Sequence, residues 1–138
     1  MEIYKKIYKK GDIMNRYHIK LGFDQSHIKG LQDITEQLNN RDFSYSDHCL
    51  DNLKYRFLDL KGILLFIKGV ELRAENIFEY YEENGKIIKL CYRINYNSLQ
   101  DIIIVLTPEK KIVTIYLNSN NDSHLTLKKE LYNIALTT

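Results

Sequence analysis

The sequence predicts an α+β domain: two to three N-terminal helices packed on a four-stranded antiparallel meander sheet, with a short C-terminal helix. Three observations predict it. Apolar residues recur at helical spacing through the first half of the chain and at every second position from Asn76 onward. The alternating runs are joined by turn-like connections, too short for a parallel crossover. No Pro-, Gly- or Ser-rich linker and no solenoid-like repeat divides the chain, so residues 1–138 read as one domain.

Residues 13–23 alternate loosely, with Tyr17, Ile19 and Leu21 on one side, and predict a short strand. Residues 25–39 carry Ile28, Leu31, Ile34 and Leu38 at helical spacing, and Asp24 or Ser26 suits the cap. Residues 43–61 predict a second helix. Ser46 is its N-cap, Asp47 complements the positive end, and Gly62 ends it. Leu50, Leu53, Phe57 and Leu60 make its apolar stripe, while His48, Asn52 and Arg56, spaced by four, line a neighbouring face. Residues 63–70 fit a short buried helix or a strand. They are read as a helix because Gly62 and Gly69 bracket them and stronger strand signals follow.

Residues 76–82, 86–95, 100–106 and 111–118 read as four strands. The Asn84, Gly85 pair is the strongest turn signal, since both residues tolerate the positive φ of a tight hairpin. Alternation assigns faces. Ile88, Leu90, Tyr92 and Ile94 share one side of the second strand; Ile87, Lys89, Cys91 and Arg93 share the other. On the fourth, Val113, Ile115 and Leu117 oppose Ile112, Thr114, Tyr116 and Asn118. The greasy side packs on the helices. Residues 126–136 predict the last helix, with Leu127, Leu131 and Ile134 inward.

Composition excludes more than it assigns. With 44% hydrophobic and 28% charged residues the chain has enough apolar surface to fold without metal or disulfide staples. A net charge of +2 does not announce a nucleic-acid binder. Charge is uneven, however: residues 1–30 hold seven cations against three carboxylates, an excess of +4, and residues 1–12 read as a basic, flexible tail. Cys49 and Cys91 form no metal or redox spacing and lie in apolar stretches, so both are expected to be buried free thiols in a reducing compartment. The longest apolar run, at 63–67, is too short to span a bilayer, and the basic N-terminus lacks the apolar core of a signal peptide. The expectation is a cytoplasmic protein with no membrane partner.

Two stretches carry a recognisable pattern. One is Ser46, Asp47, His48, then Arg56 after seven intervening residues, then Gly62. The other is Thr114-Ile115-Tyr116-Leu117-Asn118, then Asp122 and His124-Leu125-Thr126-Leu127; a Tyr92-Arg93-Ile94 strand lies between. Together, over residues 44–132, they resemble the small toxin-type ribonucleases of the barnase–EndoU–colicin–RelE-like group. The similarity is to the branch with a His-x7-Arg helix before a sheet ending in a Thr-x-Tyr strand. The resemblance implies helices on a twisted four-stranded sheet and metal-independent cleavage of RNA, tRNA or messenger RNA. It implies catalytic roles for His48, Arg56, Arg93, Tyr116 and His124, and RNA contacts from Lys89, Thr114, Asn118 and Thr126. It also implies an inhibitory antitoxin or immunity-type partner. The modest net charge departs from the strongly basic surfaces common in that group.

Such cleavage needs a base for the 2′-hydroxyl, an acid for the leaving 5′-oxygen and cations for the phosphorane. Histidine suits the first two roles and the planar fork of arginine the third. His48, in the first turn of its helix, is a base or an exposed residue without a role. His124, in a polar loop, is the other member of the base and acid pair, in unassigned order, or a turn residue. Arg56 binds phosphate or pairs with Asp47 or Asp59. Arg93 stands mid-strand in a chain with 15 Lys to 5 Arg, which suits planar recognition and equally a cross-strand ion pair. Tyr116 stacks on a base or simply packs, one Tyr among eleven. No GxGxxG, P-loop, HExxH or GxSxG motif is present. Asp122 and His124 lack a third metal ligand, and Glu82 with Glu83 reads as a solvated pair beside the turn, so neither metal nor cofactor is expected. Two other readings use the same residues. One is a non-enzymatic phage or mobile-element protein that binds a host protein through the Tyr-bearing sheet face. The other is a nucleic-acid binder using the basic N-terminus and the Tyr-bearing strands.

Overall fold

Asp24 starts the first helix as its position before the apolar stripe requires. The computed structural model describes residues 14–57, 59–122 and 129–133. In it α1 (Gln25–Leu38) is capped by the Asp24 carboxylate, which accepts from the Ser26 amide at 2.9 Å. Ahead of it runs a short strand, β1 (Met14–His18), shorter than the alternation over 13–23 suggested because Ile19–Leu21 turns into a 3-10 helix.

Ser46 caps α2 (Asp47–Arg56) by accepting from the Cys49 amide at 3.1 Å. The single helix expected over 43–61 is in fact three elements. An N-cap needs extended backbone before it, and Ser44 and Tyr45 use that conformation to form β2 (Ser44–Tyr45). At the other end α2 stops at Arg56. Phe57 is extended, and Asp59 caps a separate helix, α3 (Leu60–Gly69), by accepting from the Gly62 amide at 3.0 Å. Gly62 therefore opens α3 rather than closing α2. A Cβ there would collide with the Asp59 carboxylate, so the glycine serves close approach and not a left-handed cap.

The four predicted strands are β3 (Ile77–Glu83), β4 (Lys86–Asn95), β5 (Gln100–Leu106) and β6 (Lys111–Ser119), paired antiparallel in sequence order. Asn84 and Gly85 turn the first hairpin with φ of 51° and 81°. The sheet has six strands, not four. β1 pairs antiparallel with β3 on one edge, β2 pairs parallel with β6 on the other, and the order is β1-β3-β4-β5-β6-β2. Both additions are long-range pairings that local periodicity cannot report.

Two β-bulges correct the predicted faces. Tyr81 pairs with Lys89 and Glu82 with Ile87, so Ile88 is an extra residue and Ile87 turns to the helices. Likewise Val105 pairs with Thr114 and Leu106 with Ile112; Val113 is extra, and Ile112 enters the core with Ile115 and Leu117. The core gathers Leu31 and Leu38 of α1, Leu53 of α2 and Ile63 and Ile67 of α3 against the inner face of the sheet. Within it the Thr35 hydroxyl donates to the Leu31 carbonyl at 2.8 Å, so at 2.7 Å it accepts from the buried Tyr92 phenol.

Cys49 and Cys91 are buried and free, as expected. Glu82 is buried rather than solvated: it shares the inner side of β3 with Tyr80 and pairs with Asn15 of β1, and the Asn15 amide and the Gly85 amide both donate to it. Of the helix expected over 126–136, only a 3-10 turn at Lys129–Leu131 falls among the described residues. The basic segment 1–12, His124 and Thr126 lie outside them. Among the described residues no helix is long and apolar enough to cross a membrane.

Candidate functional site

α2 lies along β6, and its polar row faces a shallow groove between the two. His48, Asn52 and Arg56 line this groove with Val113 and Thr114 of β6. Each position follows from local sequence. Ser46 starts the helix, the spacing of four stacks the three polar side chains on one face, and Cys49 and Leu53 on the adjacent face are buried. The Asn52 amide donates to the His48 carbonyl at 2.9 Å and lies 3.2 Å from His48 Nε2. An amide nitrogen only donates, so Nε2 accepts and the ring proton sits on Nδ1. Arg56 Nη1 donates to the Ile115 carbonyl at 2.9 Å. That bond satisfies an acceptor on the side of β6 that β2, only two residues long, leaves without a strand partner. Cys49 also borders the groove. Burial pushes its thiol up, against the opposing pull of Arg56, so it stays protonated and packs.

Thr114 connects the groove to the outer face of the sheet. With Ile115 and Leu117 turned inward, Thr114, Tyr116 and Asn118 point to the opposite side. Across β5, the same face carries Lys89, Cys91 and Arg93 of β4. The structure thus brings together His48, Arg56 and Thr114 in the groove, and Lys89, Arg93, Tyr116 and Asn118 on the adjoining face. Arg93 is engaged on two sides: Nε donates to Asp101 at 2.7 Å and Nη2 to the Ser119 carbonyl at 2.9 Å. This is the cross-strand ion pair that its mid-strand position allowed. Lys89 places its ammonium 5.0 Å from the centre of the Tyr81 ring. Tyr116 is half-buried, and burial raises its phenol above the ordinary range.

At the β1 end of this face stands a cluster that sequence reading did not assemble. The Glu79 carboxylate, 5% exposed, accepts both contacts of the Arg16 guanidinium at 3.0 and 3.1 Å and the Tyr132 hydroxyl at 2.6 Å; the Cys91 thiol lies 3.7 Å away. Arg16 also lies over the Tyr132 ring, 4.5 Å from its centre. Burial holds Cys91 well above the usual thiol range. Only the register of β1 on β3 brings Arg16 to Glu79, so no local motif signals the cluster. Asn52 was visible on the His48 row, but its hold on the imidazole was not. Among the described residues no group of three or more His, Cys, Asp or Glu is placed to hold a metal ion.

Comparison with known proteins returns no match: no family model fits the chain, and no curated protein and no solved structure is similar to it.

Proposed function

We propose that the chain is a metal-independent RNA-cleaving domain of the toxin type, with its chemistry in the groove between α2 and β6. The observation that carries the reading is the shared groove of His48, Asn52, Arg56 and Thr114. In this reading the 2′-hydroxyl displaces the Asn52 amide from His48 Nε2, and that nitrogen removes its proton. The oxygen attacks phosphorus, the 5′-oxygen leaves with a proton from His124, and a 2′,3′-cyclic phosphate remains. Asn52 holds the imidazole in place until the substrate arrives. Arg56 spends one N–H on Ile115 and turns the rest of its fork to the phosphorane. Thr114 and Asn118 contact the backbone, Tyr116 stacks on a base, and Lys89 and Thr126 contact RNA further along. Arg93, tied to Asp101, shapes the face beside the groove. The substrate is tRNA or messenger RNA in the cytoplasm, and an inhibitory protein would restrain the activity.

The test is cleavage of total RNA by purified protein in EDTA. The expected result is a fragment ladder ending in cyclic phosphates, lost in His48→Ala and in His124→Ala while both variants keep the wild-type circular dichroism. Intact RNA at micromolar protein overturns the reading.

One observation favours a second reading, the protein that binds a host or inhibitory partner without catalysis. α3 leaves Leu65 62% exposed, in an apolar hollow with Leu60 and Leu64 flanked by Lys61 and Lys68. This reading predicts a stoichiometric complex insensitive to nuclease and to His48→Ala, and weakened by Leu65→Glu.

A further inference from the structure

On the helix side of the molecule a cavity of about 540 Å³ opens between residues 39–45, α3 and the turn before β6. Its volume is in the range of small-ligand sites. Lys110 forms part of its wall. This residue is only 4% exposed, and it holds a left-handed φ of 67° at the end of a tight turn, a conformation that favours Gly or Asn. Its ammonium donates to the Arg41 carbonyl and lies 4.2 Å from the centre of the Phe43 ring. Among the described residues no carboxylate comes within ion-pair distance of it. Asp42 is the nearest acidic influence, and burial outweighs it, lowering the Lys110 ammonium below its ordinary range. A buried charge without a counterion is costly, and structures complete such sites with an anion.

The remaining lining says which anion. Arg41 and Lys68 add two exposed cations to Lys110, against the single carboxylate of Asp42. Three cations to one carboxylate suit a dianion better than a monocarboxylate. The Phe43 ring stands beside the ammonium, and the Tyr45 ring forms another part of the wall; both are half-buried and provide flat apolar surface. We propose that this cavity binds a nucleoside monophosphate, its phosphate on Lys110 with Arg41 and Lys68 and its base against Phe43 and Tyr45. The nucleotide is either free or the phosphorylated end of an RNA strand. The site shares no lining residue with the His48 groove and does not depend on the cleavage reading.

Equilibrium dialysis of the full chain tests it, with AMP, GMP, CMP and UMP, the four unphosphorylated nucleosides, inorganic phosphate and a 5′-phosphorylated oligoribonucleotide as probes. The expected result is saturable binding of at least one monophosphate, tenfold or more tighter than its nucleoside and than inorganic phosphate. Lys110→Met should lose at least tenfold in affinity and Phe43→Leu severalfold, while His48→Ala binds as the wild type does. Should Lys110→Met fail to fold, the exposed pair Arg41→Gln with Lys68→Gln carries the same expectation. An oligonucleotide that displaces the monophosphate identifies an RNA end as the source; one that does not identifies the free nucleotide. Absence of saturable binding at millimolar monophosphate overturns the proposal, as does affinity for inorganic phosphate equal to that for the nucleotide, or binding unaffected by either set of cation substitutions.

Discussion

The guanidinium of Arg56 and the backbone carbonyl of Ile115 meet at 2.9 Å, although 59 positions separate them in the chain. This bond ties the last turn of α2 to the outer side of β6, beyond the two residues that β2 covers. The residue that the resemblance marks for phosphate is therefore also a clamp on the sheet edge.

Arg56→Ala should cost about 1 kcal/mol of stability through the lost charged hydrogen bond. In the proposed enzyme it should reduce RNA cleavage far more than that loss explains. Arg56→Lys, which keeps a donor but not the fork, should recover stability in urea titration and leave cleavage low. Equal recovery of both would make Arg56 an edge clamp only.

The Thr35 and Tyr92 hydroxyls make an asymmetric pair, because Thr35 gives its own proton to Leu31. Tyr92→Phe removes a donor and leaves Thr35 bonded to Leu31, so a loss of about 1 kcal/mol is expected. Thr35→Val strands the Tyr92 proton in the core and should cost more, about 2 kcal/mol. Urea unfolding of the two single variants and the double variant measures the difference. A larger loss for Tyr92→Phe would reverse the donor assignment.

Stability should fall steeply in alkali. Burial pushes the Tyr92 phenol from 10.0 up to about 12, and Tyr80, Tyr81 and Tyr132 are raised by burial too. Below pH 10 these phenols are protonated in both states and their full contribution stands. Between pH 10 and about 12 the unfolded chain releases the Tyr92 proton and the folded chain does not, so that contribution, on the order of 2 kcal/mol, is lost as pH rises. Urea midpoints at stepped alkaline pH check this. A Tyr92→Phe variant should show a shallower decline.

Glu79 is the acceptor that holds Arg16 and Tyr132 to β3. Glu79→Gln breaks a pair whose acidic side chain is 7% exposed and whose basic one is 30% exposed. The expected cost is about 2 kcal/mol, below the ~3–5 kcal/mol of a fully buried pair. Tyr132→Phe should cost less, and amide exchange at residues 129–133 should rise in both variants. Unchanged exchange in Glu79→Gln would mean that the carboxylate does not anchor that segment.

Local chemistry made much of this fold legible. Asp24 and Ser46 cap the helices predicted from them, Asn84 and Gly85 turn the predicted hairpin, and the change of period near Asn76 marks where helices give way to sheet. Gly62 misled because a glycine beside a helix serves either a left-handed cap or a close carboxylate, and only the Asp59 contact decides which. The His48, Asn52, Arg56 row was readable from helical spacing; Thr114 was named through the resemblance, but its place opposite that row was not.

What the sequence by itself determined is whatever depends on near neighbours along the chain: caps, turns, element types and the α+β class. The tertiary structure alone decided the two edge pairings, the bulges that moved Ile87 and Ile112 inward, the Arg16–Glu79 pair and the cavity around Lys110. The physical reason is register. A period of two states that alternate residues share a face, but which face, and where one extra residue reverses it, is set by hydrogen bonds to a strand that lies elsewhere in the sequence.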